Sequence, residues 1–184
     1  MREHQFWRLV TGRTVSEIGT VLRGRTALEV IRFHHQFRRL HLRACRWDVW
    51  TAFGLVLGGA GAGELRAGVC WLILRGRGAY RRALVDPDTL AALGADPLKI
   101  TRAGELAHLA HDLLAPPGSG EVATAYREAM AAILGEAGPR EAPPGERPAL
   151  DAETLARCYP RLTARYGIVA EPIRQLAPVE RTSR

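Results

Sequence analysis

A chain of 184 residues, 47% hydrophobic and 24% charged, is long enough for one core of ordinary size and has the composition of a soluble globular domain, which excludes a disordered or fibrous chain. Cys45, Cys70 and Cys158 are odd in number and widely spaced, so a disulfide framework or zinc knuckle is excluded and a reducing cytoplasm is the expected home. The formal net charge of +7, with every basic residue except Lys99 an arginine, admits an acidic or nucleic-acid partner, although GC-rich codon usage yields the same arginine bias with no selection for binding.

The opening MREHQFWRLV lacks the apolar core of a signal peptide, and Phe6, Trp7, Leu9 and Val10 predict a helical turn docked on the core. Thr14-Val15-Ser16-Glu17 has capping-box spacing, so a helix starts there and runs to about Arg23, where Gly24 breaks it. Thr26 caps the longest helix, to about Arg46. Val30, Phe33, Phe37, Leu40 and Ala44 share one face of it, and Arg32, Gln36, Arg39, Arg43 and Arg46 lie opposite. Trp47 to Leu57 is a second, buried helix, kinked from the first near Trp47. Gly58 to Gly63 ends it, because glycine takes positive φ without a Cβ clash. The uncharged run Val49 to Gly63 is too short to span a membrane, and no membrane association is expected.

Leu65, Val69, Leu72 and Ile73 form the next helical stripe, which Gly76 and Gly78 interrupt and Ala79 to Leu84 resumes. At Asp86-Pro87-Asp88 the chain stops and restarts, since proline suits a first helical turn and aspartate its positive end. A brief helix, Leu90 to Leu93, follows. Glu105 to Leu114 and Glu121 to Leu134 read as helices separated by Pro116-Pro117-Gly118. Gly138 to Pro148, with four prolines and two glycines, reads as an exposed linker. Asp151 starts a helix to Cys158, Pro160 to Tyr166 adds a turn or two, and Glu180 to Arg184 frays. No alternating run reaches strand length. The expected fold is mainly α: a core domain over 1–135, a linker over 136–149, and a helical segment over 150–184 that packs back on the core.

From Trp47 to Leu90 the chain resembles the bacterial family catalogued as domain of unknown function 4240. That family's hallmark runs W-D-x-W-x-A, G-G-C-S-D-D-x-F, F-R-x-W-L-I-x-x-G-R, an alanine–leucine pair and D-P-D-S-L. Trp47, Asp48, Trp50, Ala52, Gly58, Gly59, Trp71, Leu72, Ile73, Gly76, Arg77, Ala83, Leu84, Asp86, Pro87, Asp88 and Leu90 match it without a gap. Phe6-Trp7-Arg8-Leu9 and Tyr159-Pro160-Arg161-Leu162 resemble its terminal motifs. The chain departs where the family has C-S-D-D-x-F: here stand Ala60-Gly61-Ala62-Gly63-Glu64-Leu65, and Gly68-Val69 replaces F-R. Carboxylates are what would ligate a hard metal or serve as acid and base, so if the family has an active site there, this member has lost it. The family carries no established activity, and the resemblance implies a scaffold without a reaction.

No residue set predicts catalysis. The glycines from Gly58 to Gly63 lack G-x-G-x-x-G spacing and any following G-K-[ST], so they do not form a nucleotide loop. His108 and His111 share a helix face without a third ligand, and neither a metal nor another cofactor is expected. His34, His35 and His41 lie among arginines as surface or boundary residues, and Cys45 and Cys70 read as small core residues. Asp48, in an apolar segment among Trp47, Trp50 and Trp71, requires a cation: Arg77 is the first candidate and Arg46 the alternative. The pair is either structural or faces a ligand, and Gly58 and Gly59 are the loop candidates. The retained scaffold with an eroded acidic loop predicts a non-catalytic cytoplasmic binding or accessory protein acting through a protein partner. The alternatives are nucleic-acid binding by the Arg32, Arg39, Arg43 and Arg46 face, and an enzyme with its site near Gly58 to Gly63.

Overall fold

Capping chemistry sets the first helices. In the computed structural model, which describes residues 1–114 and 142–174, α1 (Glu3–Val10), α2 (Val15–Arg23) and α3 (Ala27–Ala44) open the chain. The Glu17 amide donates to the Thr14 hydroxyl at 3.3 Å while the Glu17 carboxylate accepts from the Thr14 amide at 2.7 Å. Thr26 and Glu29 make the same exchange at 3.3 and 3.1 Å. Each exchange satisfies N–H groups that a helix start leaves open. Thr26→Ala is therefore expected to cost about 1 kcal/mol. A urea titration checks this: the midpoint falls and the slope stays unchanged.

The predicted apolar stripe of α3, Val30 to Ala44, is buried throughout. It receives α1 through Phe6, whose ring stacks on Phe33 at 5.3 Å, and it is tied to a later helix by the Tyr80 hydroxyl, which donates to the Leu40 carbonyl at 2.7 Å. Chain direction changes at Cys45-Arg46, and α4 (Trp47–Leu57) follows. Gly58 and Gly59 take φ of +70° and +93°, and the Gly59 amide donates back to the Gly54 carbonyl at 2.8 Å, which closes α4 as the glycine run predicts.

α4 and α5 (Ala62–Leu74) are apolar on nearly every face and form the centre of the molecule. Gly68 sets their approach: a Cβ there would stand 2.7 Å from the Phe53 ring. α6 (Arg77–Val85) follows the predicted break at Gly76, and the Asp86-Pro87 restart yields a 3-10 helix, Pro87–Leu93. α7 (Pro97–Ala103) packs along α5 and is not announced by any stripe. Its start repeats the aspartate–proline device, with the Leu98 amide donating to Asp96 at 2.9 Å. The helix expected over Glu105–Leu114 is instead a 3-10 turn, Gly104–Ala107, and α8 (Leu109–Leu114), separated at His108.

The predicted helix Glu121–Leu134, the linker up to residue 141 and the tail Glu180–Arg184 lie outside the described residues. From 142 to 150 the chain is non-helical and mostly exposed, but not wholly free. Pro143 is buried, and the Trp47 indole donates to the Gly145 carbonyl at 3.2 Å. α10 (Pro160–Tyr166) then packs on α4 and the Pro87–Leu93 turn, and α9 (Ala152–Cys158) packs on α10. The fold is mainly α, and among the described residues the one β feature is a single bridge, Ala60 with Ile173. No helix among the described residues is long and apolar enough to cross a membrane.

Candidate functional site

Asp48 sits at the start of α4, and its carboxylate is not buried: the side chain is 35% exposed. Its partner is Arg46, whose Nε lies 3.0 Å from Oδ1 and whose Nη2 contacts Oδ2. Arg46 also donates to the Leu84 carbonyl at 2.9 Å, which holds the α3–α4 corner against the end of α6. The expected Asp48–Arg77 pair does not form. Arg77 begins α6 and turns towards α1, where its Nε lies 3.8 Å from Glu3. Glu3 also accepts from Arg39 at 2.7 Å and from the Trp7 indole at 3.2 Å. The Trp7 indole, with Arg39 and Arg77, holds the Glu3 carboxyl below the usual carboxylate range against a smaller effect of burial.

The tryptophans are packing residues. Trp50 is fully buried, Trp71 is 5% exposed with its ring edge against Phe53 and the Arg75 guanidinium above it, and Trp47 is half-buried against Trp50.

The strongest polar arrangement joins Asp86-Pro87-Asp88 to Tyr159-Pro160-Arg161-Leu162. Asp88 is 2% exposed and accepts three N–H bonds, from the Leu162 amide at 2.8 Å, the Arg161 amide at 3.0 Å and Arg161 Nε at 2.8 Å. Arg161 Nη2 also contacts Asp86. Asp88 therefore caps α10 from another part of the chain while pairing with its second residue. Burial pushes the Asp88 carboxyl up, but Arg161 and the two amides outweigh it and hold the group below its ordinary value. The Tyr159 hydroxyl donates to the Asp48 carbonyl at 3.1 Å, so the three motifs meet along one seam. Sequence reading misses Asp88 because its cation is supplied from a distant segment. The available signal is the recurrence of an aspartate pair and a proline–arginine pair among the matched motifs.

The Gly58 to Gly63 loop is covered by the chain itself. The Ala60 amide donates to the Pro172 carbonyl at 3.1 Å, and the Arg174 amide donates to the Ala60 carbonyl at 2.9 Å. A Cβ at Gly59 would lie 3.0 Å from the Glu171 carbonyl oxygen, so the loop's glycine admits a neighbouring backbone where a ligand loop would admit phosphate.

Elsewhere α1, α2 and α3 border a groove of about 500 Å³. Arg8, Arg13, Arg25 and Arg32 surround Met1, Leu9 and Val21 there. Arg13 caps α1, donating to the Arg8 and Leu9 carbonyls, and Arg25 pairs with Glu29 at 3.2 Å. The four arginines of the predicted basic face, Arg32, Arg39, Arg43 and Arg46, are all exposed. Arg39 and Arg46 are engaged by Glu3 and Asp48, so the face is not a continuous run of free cations.

Residues 1–115 match the family described as Protein of unknown function (DUF4240). The chain belongs to this family. No curated protein and no solved structure matches it. Within the DUF4240 match lie Glu3, Asp48, Asp86 and Asp88, whereas Arg161, which closes the seam, lies beyond it. Among the described residues no group of three or more His, Cys, Asp or Glu is placed to hold a metal ion.

Proposed function

We propose that the protein is a non-catalytic binding protein of the bacterial cytoplasm, acting through a protein partner with an acidic surface. The observation that carries this reading is the groove between α1, α2 and α3, where arginines surround an apolar floor. Arginine and methionine beside exposed aliphatic surface is the composition of a protein interface. Arg8 and Arg32 make no ion pair there among the described residues, and Val21 is 37% exposed. A chain of net charge +7 meets an acidic partner with favourable long-range attraction.

Two further observations support a non-catalytic role. The loop that carries the acids in the family has neither of them here, and its backbone is bound by Pro172 and Arg174. The Cys70 thiol is buried, and burial pushes it up to about 12, which disfavours the thiolate that a nucleophile needs. The basic face is a poorer support for nucleic acid, since half of its arginines already face carboxylates.

The test compares wild type with the double variant Arg8→Glu, Arg32→Glu in pull-downs from the native host, followed by titration of the recovered partner. The expected result is an acidic protein whose affinity falls about tenfold or more in the variant while both proteins melt alike. Oligonucleotides are titrated in parallel by fluorescence anisotropy. Saturable, salt-sensitive binding lost in the variant would replace this reading with a nucleic-acid one.

A further inference from the structure

A second cavity, of about 620 Å³, lies between α3 and the layer formed by α5 and the Gly104–Ala107 turn. Its two walls differ in kind. On α3 the rings of His34, Phe37 and His41 follow one another along the helix, with centroids 6.1 and 5.5 Å apart. The facing wall is made of small residues, including Ala67, Cys70, Gly104 and Ala107. Rings on one side and small side chains on the other leave a slot suited to a flat apolar body.

The charges of the slot are sorted by depth. Arg38 and Arg66 are half-buried, whereas Glu64, Glu105 and His108 are exposed at the mouth. Glu64 is further committed to the Gly61 amide at 2.9 Å. Arg38 Nη2 and His34 Nδ1 are both shielded from solvent and have no hydrogen-bond partner among the described residues. A shielded guanidinium nitrogen without an acceptor is costly, and a carboxylate oxygen is the group that relieves it. Burial, joined at His34 by the Arg38 charge and opposed at His41 by a hydrogen bond to the Arg66 carbonyl, pushes both imidazoles down to about 4, so near neutrality both rings are uncharged. They then present aromatic faces to an apolar body, and His34 Nδ1 as the N–H tautomer adds a donor next to Arg38.

We propose that this slot binds a small carboxylate with a planar apolar body, the carboxylate held by Arg38 and His34 and the body between the α3 rings and Ala67, Cys70 and Ala107. The site is separate from the α1–α2–α3 groove and does not depend on the protein-partner reading. The probes are 2-naphthoate, 2-naphthol and 2-naphthylmethylamine, titrated into the full chain by isothermal calorimetry. Saturable 1:1 binding of the naphthoate is expected, with the alcohol about tenfold weaker or more and the amine not binding. Arg38→Gln should weaken naphthoate about tenfold while leaving the alcohol unchanged. Ala107→Leu, at a half-buried position, should abolish both by filling the slot, and thermal melts establish that each variant is folded. No naphthoate binding, equal binding of acid and alcohol, or an Arg38→Gln variant that binds like wild type would each overturn the assignment.

Discussion

Asp88→Ala should lower stability by about 3 kcal/mol, the largest loss expected from any single polar residue here. The change leaves the Leu162 amide, buried with its bond, without an acceptor, and strips Arg161 of one of its two carboxylates. A buried donor left unpaired costs about 1–3 kcal/mol, and a broken charge-assisted pair adds to it. Asn should rescue little, because its amide would turn a donor towards donors. The pH dependence has a definite sign. Since the folded Asp88 carboxyl lies below its ordinary value, its contribution is complete above that value and is lost as pH falls through the lower, folded one. Wild type should therefore lose stability over that acid window and Asp88→Ala should lose less there. Arg161→Ala, which removes the lowering cation but keeps the burial, should shrink this acid-dependent loss. Equilibrium denaturation across pH reads all three, and an Asp88→Ala midpoint equal to wild type would refute the role given to the seam.

Gly54→Ala should detach the segment 171–174 from the core. A Cβ at residue 54 would stand 2.0 Å from the Pro172 carbonyl oxygen and 2.5 Å from its carbonyl carbon, so backbone would have to move and no side chain could give way. Undocking gives up the burial of Ile173, which is 2% exposed, and the two hydrogen bonds that Ala60 makes. Together these are worth about 3 kcal/mol, partly offset by the roughly 1 kcal/mol that alanine gains over glycine inside a helix. Hydrogen exchange is the sensitive measurement: the Ala60 and Arg174 amides should lose protection while the amides of α3 keep theirs. Gly63→Ala is the control. Its Cβ would enter open space, and a change there should be neutral or slightly stabilising. Equal protection of Ala60 in wild type and Gly54→Ala would show that the contact does not hold the segment.

What could be read from sequence is what is decided within a helix turn or two. The Thr14 capping box, the Thr26 cap, the α3 stripe and the Gly58-Gly59 stop are local, and they stand as predicted. Pairings across the fold were not legible in the same way. Arg77 shares the Trp47 to Leu90 stretch with Asp48, yet the direction of α6 takes it to Glu3, and the nearer Arg46 reaches Asp48 first. Asp48 looks buried from its apolar neighbours, but its place in the first turn of α4 leaves the carboxylate part-exposed. Asp88 looks like a helix-start residue, and it is one, but for a helix whose sequence begins at Pro160. The Arg38 and His34 slot escapes sequence reading because α7 and the Gly104–Ala107 turn, which help to build its second wall, carry no strong periodicity.

The Asp88 seam also bears on how the chain can be cut. The family match ends at residue 115, yet Leu155, Tyr159, Leu162 and Ile173 are as deeply buried as the centre of α4 and α5. A fragment stopped at residue 115 would carry Asp88 without the amides that satisfy it and would expose an apolar patch on α4 where α10 had lain. Such a patch is an invitation to self-association. A fragment ended at the family boundary is therefore expected to be less stable than one that extends through the residues that close over Ala60.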